Sequence, residues 1–138
     1  MLTLRVDHAA TLLASGSVLV TGGDNSVDPY YLSPAEIYDP ALGKFAAPGS
    51  MASKRAYHTS TLLRSGKVLI AAGQALGFAE NAAELWDPAT GTFGATTALT
   101  ISRYQHTGRA RRDRKRRLQA RLGRLCGELL SDNYFSPS

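Results

Sequence analysis

The sequence predicts an all-β protein made of tandem copies of one four-stranded unit. The first observation behind this is repetition. Arg5-Val-Asp-His8-Ala-Ala-Thr11-Leu-Leu returns as Arg55-Ala-Tyr-His58-Thr-Ser-Thr61-Leu-Leu, and its opening returns as Arg103-Tyr-Gln-His106-Thr107. Ala35-Glu36-Ile-Tyr38-Asp39-Pro40-Ala-Leu-Gly43-Lys-Phe45 returns as Ala83-Glu84-Leu-Trp86-Asp87-Pro88-Ala-Thr-Gly91-Thr-Phe93. The second observation is spacing. His8 and His58 lie 50 residues apart, and His58 and His106 lie 48 apart. From Glu36 to His58 and from Glu84 to His106 the distance is 22 in both copies. The difference therefore falls between His and Glu, 28 residues in the first copy and 26 in the second. Constant spacing marks paired strands, and a change of length marks a surface loop. The third observation is a series of short β-rich runs bounded by turn signals.

Each element has a local cause. The first strand is expected at about His8–Leu13 and again at His58–Leu63, rich in Thr and Leu. Ser15-Gly16 and Ser65-Gly66 are tight-turn signals between two β-rich runs. The second strand, Val18–Thr21 and Val68–Ala71, is an almost continuous apolar run, as suits a strand buried on both faces. The third, about Ala35–Asp39 and Ala83–Asp87, alternates. Asp39-Pro40 and Asp87-Pro88 start a turn, because Asp bonds the backbone ahead of it and Pro presets φ. Gly43 and Gly91 close that turn with a positive φ. A fourth, edge strand follows at Lys44–Ala47 and Thr92–Ala95, anchored by Phe45 and Phe93. The expected sheets are thus 8–13, 17–22, 35–39 and 44–47, then 58–63, 67–72, 83–87 and 92–95. The longer variable loop joins strands two and three.

Four features together resemble the kelch repeat of bacterial kelch-like and galactose-oxidase-like proteins. They are the Arg-x-x-His opening, the Gly22-Gly23 pair, the Ala-Glu-x-aromatic-Asp-Pro run and the Gly-x-Phe after it. The resemblance runs from about Arg5 to Thr107. One departure is Ala72-Gly73, where the family has two glycines. The resemblance implies one four-stranded blade per repeat around a central channel, so the fold class is a partial β-propeller. It comprises two blades (repeat one about 5–54, repeat two about 55–102), the start of a third at Arg103, and a non-repeat segment at 108–138. A closed propeller needs roughly four to eight blades. The expectation is therefore a fragment of a larger propeller, a chain that associates through its open blade faces, or a marginally stable chain.

The charge is divided. Residues 1–107 carry 7 Lys/Arg and 8 acids, while residues 108–138 carry 9 Lys/Arg and 3 acids, net +6. After His106-Thr107 the repeat calls for Thr-Leu-Leu-x-x-Gly, but Gly108-Arg-Ala-Arg-Arg-Asp-Arg-Lys-Arg-Arg117 follows. Three readings compete. The segment is a basic helix with Leu118, Leu122, Leu125 and Leu129 on one face, a solvated tail without a partner, or an out-of-frame translation of the next blade. Nothing in the sequence resembles a membrane span. Met1–His8 lacks the apolar core of a signal peptide, although family members are often secreted. Cys126 is the sole cysteine, so an intrachain disulfide and a cysteine-based zinc cluster are excluded.

The polar residues that recur read as architecture, since a catalytic pair is needed only once. Arg5, Arg55 and Arg103 recur with Glu36 and Glu84, and a buried Arg–Glu bridge is the expected use, with Arg55 paired to Glu36 or Glu84. His8, His58 and His106 are expected to begin the first strands and to bond within their own blades. Tyr38, Trp86, Phe45 and Phe93 read as packing rather than a sugar-stacking platform. The structural set is completed by Gly22, Gly23, Asp39, Pro40, Gly43, Gly73, Asp87, Pro88 and Gly91. The galactose-oxidase-like resemblance implies copper held by tyrosines and histidines, but no motif around Tyr30, Tyr31 or Tyr57 carries such a site. No catalytic, metal or cofactor-binding residue is assigned, and no cofactor is expected. The expected function is a non-catalytic scaffold that binds a protein or carbohydrate through the loops Asp24–Ser33 and Gln74–Asn81. One alternative is the remnant of a galactose-oxidase-like carbohydrate-oxidising enzyme. The other, less favoured, is nucleic-acid binding by the Arg-rich tail.

Overall fold

A computed structural model describes residues 1–27, 30–106 and 108. The readings of the Arg-rich tail and of Cys126 lie outside the described residues. Among the described residues the protein is all-β, with ten strands and no helix.

The first sheet contains β1 (Ala9–Leu12), β2 (Val18–Thr21), β3 (Pro34–Asp39) and β4 (Lys44–Ser50), antiparallel in the order β1-β2-β3-β4. The second contains β5 (Thr59–Leu62), β6 (Val68–Ala71), β9 (Ala83–Asp87) and β10 (Thr92–Ala95), in the same relative order. Register repeats with the sequence. Val20 faces Glu36 as Ile70 faces Glu84, and Tyr38 faces Phe45 as Trp86 faces Phe93. The turns form as their chemistry requires. The Ala41 amide donates to Asp39 Oδ1 at 2.8 Å and the Ala89 amide to Asp87 Oδ1 at 2.9 Å. Gly43 and Gly91 sit at φ 64° and 68°.

Two features differ from the sequence expectation. The fourth strand of the first sheet runs on to Ser50, past a bulge opposite Ala35–Ile37. Between β6 and β9 the chain makes an extra hairpin, β7 (Gln74–Ala75) with β8 (Phe78–Ala79), where only a loop is expected. It turns on Leu76 and Gly77, both at positive φ.

The two sheets stack face to face. Leu13, Leu19, Ala35 and Met51 of the first unit share one core with Val68, Ile70 and Trp86 of the second, and Ile37, Leu62 and Phe93 pack against it. Trp86 is therefore part of the core, and Tyr38 lies against Phe45 with ring centroids 4.9 Å apart. The central strand β6 is buried along its whole length, as its apolar run requires. A second cluster, Leu63, Leu69, Ala71, Ala72, Ala83 and Leu99, lies on the other side of the second sheet. Its members are the repeat equivalents of Leu13, Leu19, Thr21, Gly22, Ala35 and Met51.

Candidate functional site

The recurrent polar residues form two copies of one pin. Arg5 is buried just ahead of β1; its Nη1 donates to the carbonyls of Gly22 (2.8 Å) and Pro34 (2.9 Å), and its Nη2 to Glu36 Oε1 (2.6 Å). Arg55 repeats this, with Nη1 on the carbonyls of Ala72 (2.9 Å) and Ala82 (2.8 Å) and Nη2 on Glu84 Oε1 (3.0 Å). The partner of Arg55 is thus Glu84 of its own repeat. Each glutamate also accepts main-chain N–H groups two and three residues before its arginine. Glu36 takes Leu2 (2.6 Å) and Thr3 (2.9 Å), and Glu84 takes Ala52 (2.8 Å) and Ser53 (3.3 Å). Burial works against the Glu36 charge, but the Leu2 and Thr3 amides and Arg5 together hold its carboxyl below the usual range. Burial lowers the pKa of Arg55 against the opposing charges of Glu84 and Glu80. Every one of these groups fastens strand to strand or linker to sheet.

The histidines correct the sequence expectation. His58 and His106 bond across to the preceding repeat, not within their own sheet. His58 Nε2 lies 2.9 Å from Thr21 Oγ1, and His106 Nε2 lies 3.1 Å from Thr59 Oγ1. The residue before each histidine, Asp7, Tyr57 and Gln105, adopts φ near +50°, a left-handed kink; at His58 and His106 the ring that follows it bonds to the preceding unit. Main-chain bonds continue the link, from the Tyr57 amide to the Asp7 carbonyl and from the Gln105 amide to the Tyr57 carbonyl, each 3.1 Å. Burial first, then the charges of Arg55, His106 and His8, lowers the His58 pKa to about 3, so this ring is neutral. His106 is lowered too, by burial and then Arg103. His8, which begins the first unit, is exposed.

Glycine pairs complete the junction. A Cβ on Gly22 would stand 2.4 Å from the Arg55 carbonyl oxygen and 2.8 Å from the His58 ring. Gly23 and Gly73 donate to the carbonyls of Arg55 (2.8 Å) and Arg103 (2.9 Å). Ala72 occupies the position equivalent to Gly22, also at positive φ (59°), and is fully buried.

Some of the exposed side chains lie on the loops between the second and third strands. In the first unit, Asp24 bridges Val6 and Tyr31, and the turn is held by Ser26 N–H on Asp24 Oδ1 (2.6 Å). Val27 and Tyr30 project into solvent. In the second, Gln74 pairs with Ala56, and the β7–β8 hairpin presents Leu76 (83 % exposed) and Phe78 (76 %). Sequence reasoning placed the loop but missed the hairpin. Beside the first loop the Tyr57 hydroxyl donates to Asp7, and that bond and the Asp7 charge raise the tyrosine pKa.

A copper centre does not fit these residues. Among the described residues no three His, Cys, Asp or Glu side chains are grouped to hold a metal. His58 and His106 spend Nε2 on threonines, and they stand at successive junctions rather than at one point. Among the described residues no helix is long and apolar enough to cross a membrane.

Comparison with known proteins supports the fold alone. No family model matches, and no curated protein matches. A solved structure of similar fold is a fungal alcohol oxidase of the AA5 family in complex with copper, with TM-score 0.57 and 22 % identity. The match covers 67 % of this chain but only 18 % of that one, so the chain spans a small part of its neighbour's length.

Proposed function

We propose that this chain is a segment of a kelch-type β-propeller that serves as a non-catalytic interaction scaffold. One observation carries the reading. The buried Arg–Glu pairs and His58 bond strand to strand and sheet to sheet, whereas the loops 24–33 and 74–81 present exposed Val27, Tyr30, Leu76 and Phe78. A protein or carbohydrate ligand would be met by Val27, Tyr30, Leu76 and Phe78, on backbone that the Gly23–Asp24 and Gly73–Gln74 bonds hold in place. Apolar and aromatic side chains on a rigid frame suit recognition, since a loop already held in place costs little to order on binding. No cofactor is required.

The second reading, a remnant of a galactose-oxidase-like oxidase, draws on the fold likeness to the AA5 enzyme. The readings separate in one assay. The protein is incubated with Cu(II) and then with galactose and primary alcohols, and peroxide is measured. The scaffold reading expects no peroxide above the copper-in-buffer control. Steady turnover that disappears in His58→Ala would favour the oxidase. The nucleic-acid reading rests on residues 108–138, and salt-dependent binding lost on their deletion is its test.

A further inference from the structure

The β7–β8 hairpin stands apart from the repeat. At the equivalent place in the first unit Asp24 bridges Val6 and Tyr31, and no strand forms there among the described residues. The hairpin is fixed at its base. Gln74 and Ala56 exchange main-chain bonds of 2.8 and 3.0 Å, and the Glu80 amide donates to the Gly73 carbonyl at 2.8 Å. Its turn runs against local preference. Ala75 pairs with Phe78, so Leu76 and Gly77 are the turn residues, at φ 50° and 83°. A two-residue turn with both φ positive favours Asn or Asp ahead of glycine. Leucine is strained there by its Cβ, and it gains no burial in return: Leu76 is 83 % exposed and Phe78 beyond it 76 %. Strain of this kind at an exposed tip points to a use outside the chain.

We propose that Leu76 and Phe78 are the specificity-determining contacts of the scaffold, and that they take an apolar patch of a polypeptide partner. Chemistry selects that class. Leucine has no ring face to stack on a sugar and no group to bond a hydroxyl, so a carbohydrate would leave Leu76 unused. Residues 68–102 carry no Lys or Arg, which disfavours the phosphates of nucleic acid and of anionic lipid. Two hairpin tips meeting head to head bury far less than the roughly 1,200 Å² of a specific dimer, which disfavours a second copy. What remains is an apolar anchor on fixed backbone, the arrangement that fills a pocket at protein interfaces. This inference deepens the scaffold reading above and rests on it.

The test probes the full chain with a phage-displayed random peptide library, an immobilised glycan array and phosphatidylcholine vesicles. Wild type, Leu76→Asn and Phe78→Ser are compared, and each is unfolded in denaturant. The expected result is apolar-rich peptides that bind wild type and lose at least about tenfold in affinity in both variants, with unfolding midpoints unchanged or, for Leu76→Asn, raised. A lowered midpoint in Leu76→Asn places the leucine in the fold and overturns the proposal. Selected peptides that bind all three proteins equally overturn it alone and leave the scaffold reading standing. Glycans or vesicles bound through the same two side chains, in place of peptides, make sugar or lipid the partner and overturn it too. A dimer seen by sedimentation in wild type and lost in both variants does the same for a second copy. Binding of none of these probes removes the scaffold reading as well.

Discussion

Replacing Arg55 tests how the fold is held. Its guanidinium is fully buried and donates to two carbonyls and to Glu84, itself 3 % exposed. Arg55→Ala leaves a buried carboxylate with only the Ala52 and Ser53 amides, and strands the Ala72 and Ala82 carbonyls. Breaking a buried pair in this way costs about 3–5 kcal/mol. Against a domain stability of about 5–15 kcal/mol, that is a large fraction. Glu84→Leu should cost about as much, because it leaves the arginine unpaired. The double variant Arg55→Met/Glu84→Leu buries no charge. It should lose less than the two singles together, because the linker amides and carbonyls it leaves unpaired are neutral and mostly only part-buried. The double-mutant cycle reads the excess of the summed singles over the double as coupling. Denaturant unfolding followed by Trp86 fluorescence gives each value, since Trp86 is the sole tryptophan and is buried. If a single variant does not fold, Arg55→Lys replaces it; it keeps the charge but loses the fork, and should fall between wild type and Ala. Singles that cost under about 1 kcal/mol and add in the double would refute the pin.

Three further outcomes follow from the junction and the surface. Gly22→Ala should destabilise markedly, because its Cβ meets the Arg55 carbonyl backbone at 2.4 Å; Ala72→Gly should be near neutral, since relief of a positive φ offsets a lost buried methyl. Acid should weaken the fold through His58. Its depressed pKa leaves its contribution intact above about 6.5 and erodes it as pH falls towards 3, by about 2 kcal/mol between pH 7 and 5, a slope that His58→Gln removes. Glu36, held below the carboxylate range, adds a further loss at lower pH as it protonates. Lys67→Ala should leave the unfolding midpoint unchanged within error, because the Lys67–Asp87 bridge at 2.8 Å is solvent-exposed.

The strands were legible because pattern and turn chemistry agree at each one. A short apolar run such as Val68–Ala71, flanked by turn signals, suits a central strand between two packed faces, and Asp-Pro before a glycine favours a turn there. The Arg–Glu bridge was legible from matched recurrence, but its partner was not. Glu36 and Glu84 are chemically identical, and only the register of β6 against β9 brings Glu84 to Arg55. The direction of the histidines was hidden for a different reason. It goes with a left-handed residue at Asp7, Tyr57 and Gln105, and no sequence signal marks a tyrosine for positive φ. The β7–β8 hairpin was hidden likewise. Gln74-Ala75-Leu76-Gly77-Phe78-Ala79 is poor in β-branched residues, and its turn places a leucine where Asn or Asp is usual.

The central claim is that the recurrent residues are architecture, and His58 tests it most directly. Its ring resonances are followed by NMR from pH 8 to pH 5, with and without one equivalent of Cu(II). A ring buried at the sheet junction, with Nε2 against Thr21 and a pKa of about 3, predicts flat shifts across that range and no broadening by copper. A titration centred near 6.5, or selective broadening of His58 by the metal, would contradict it.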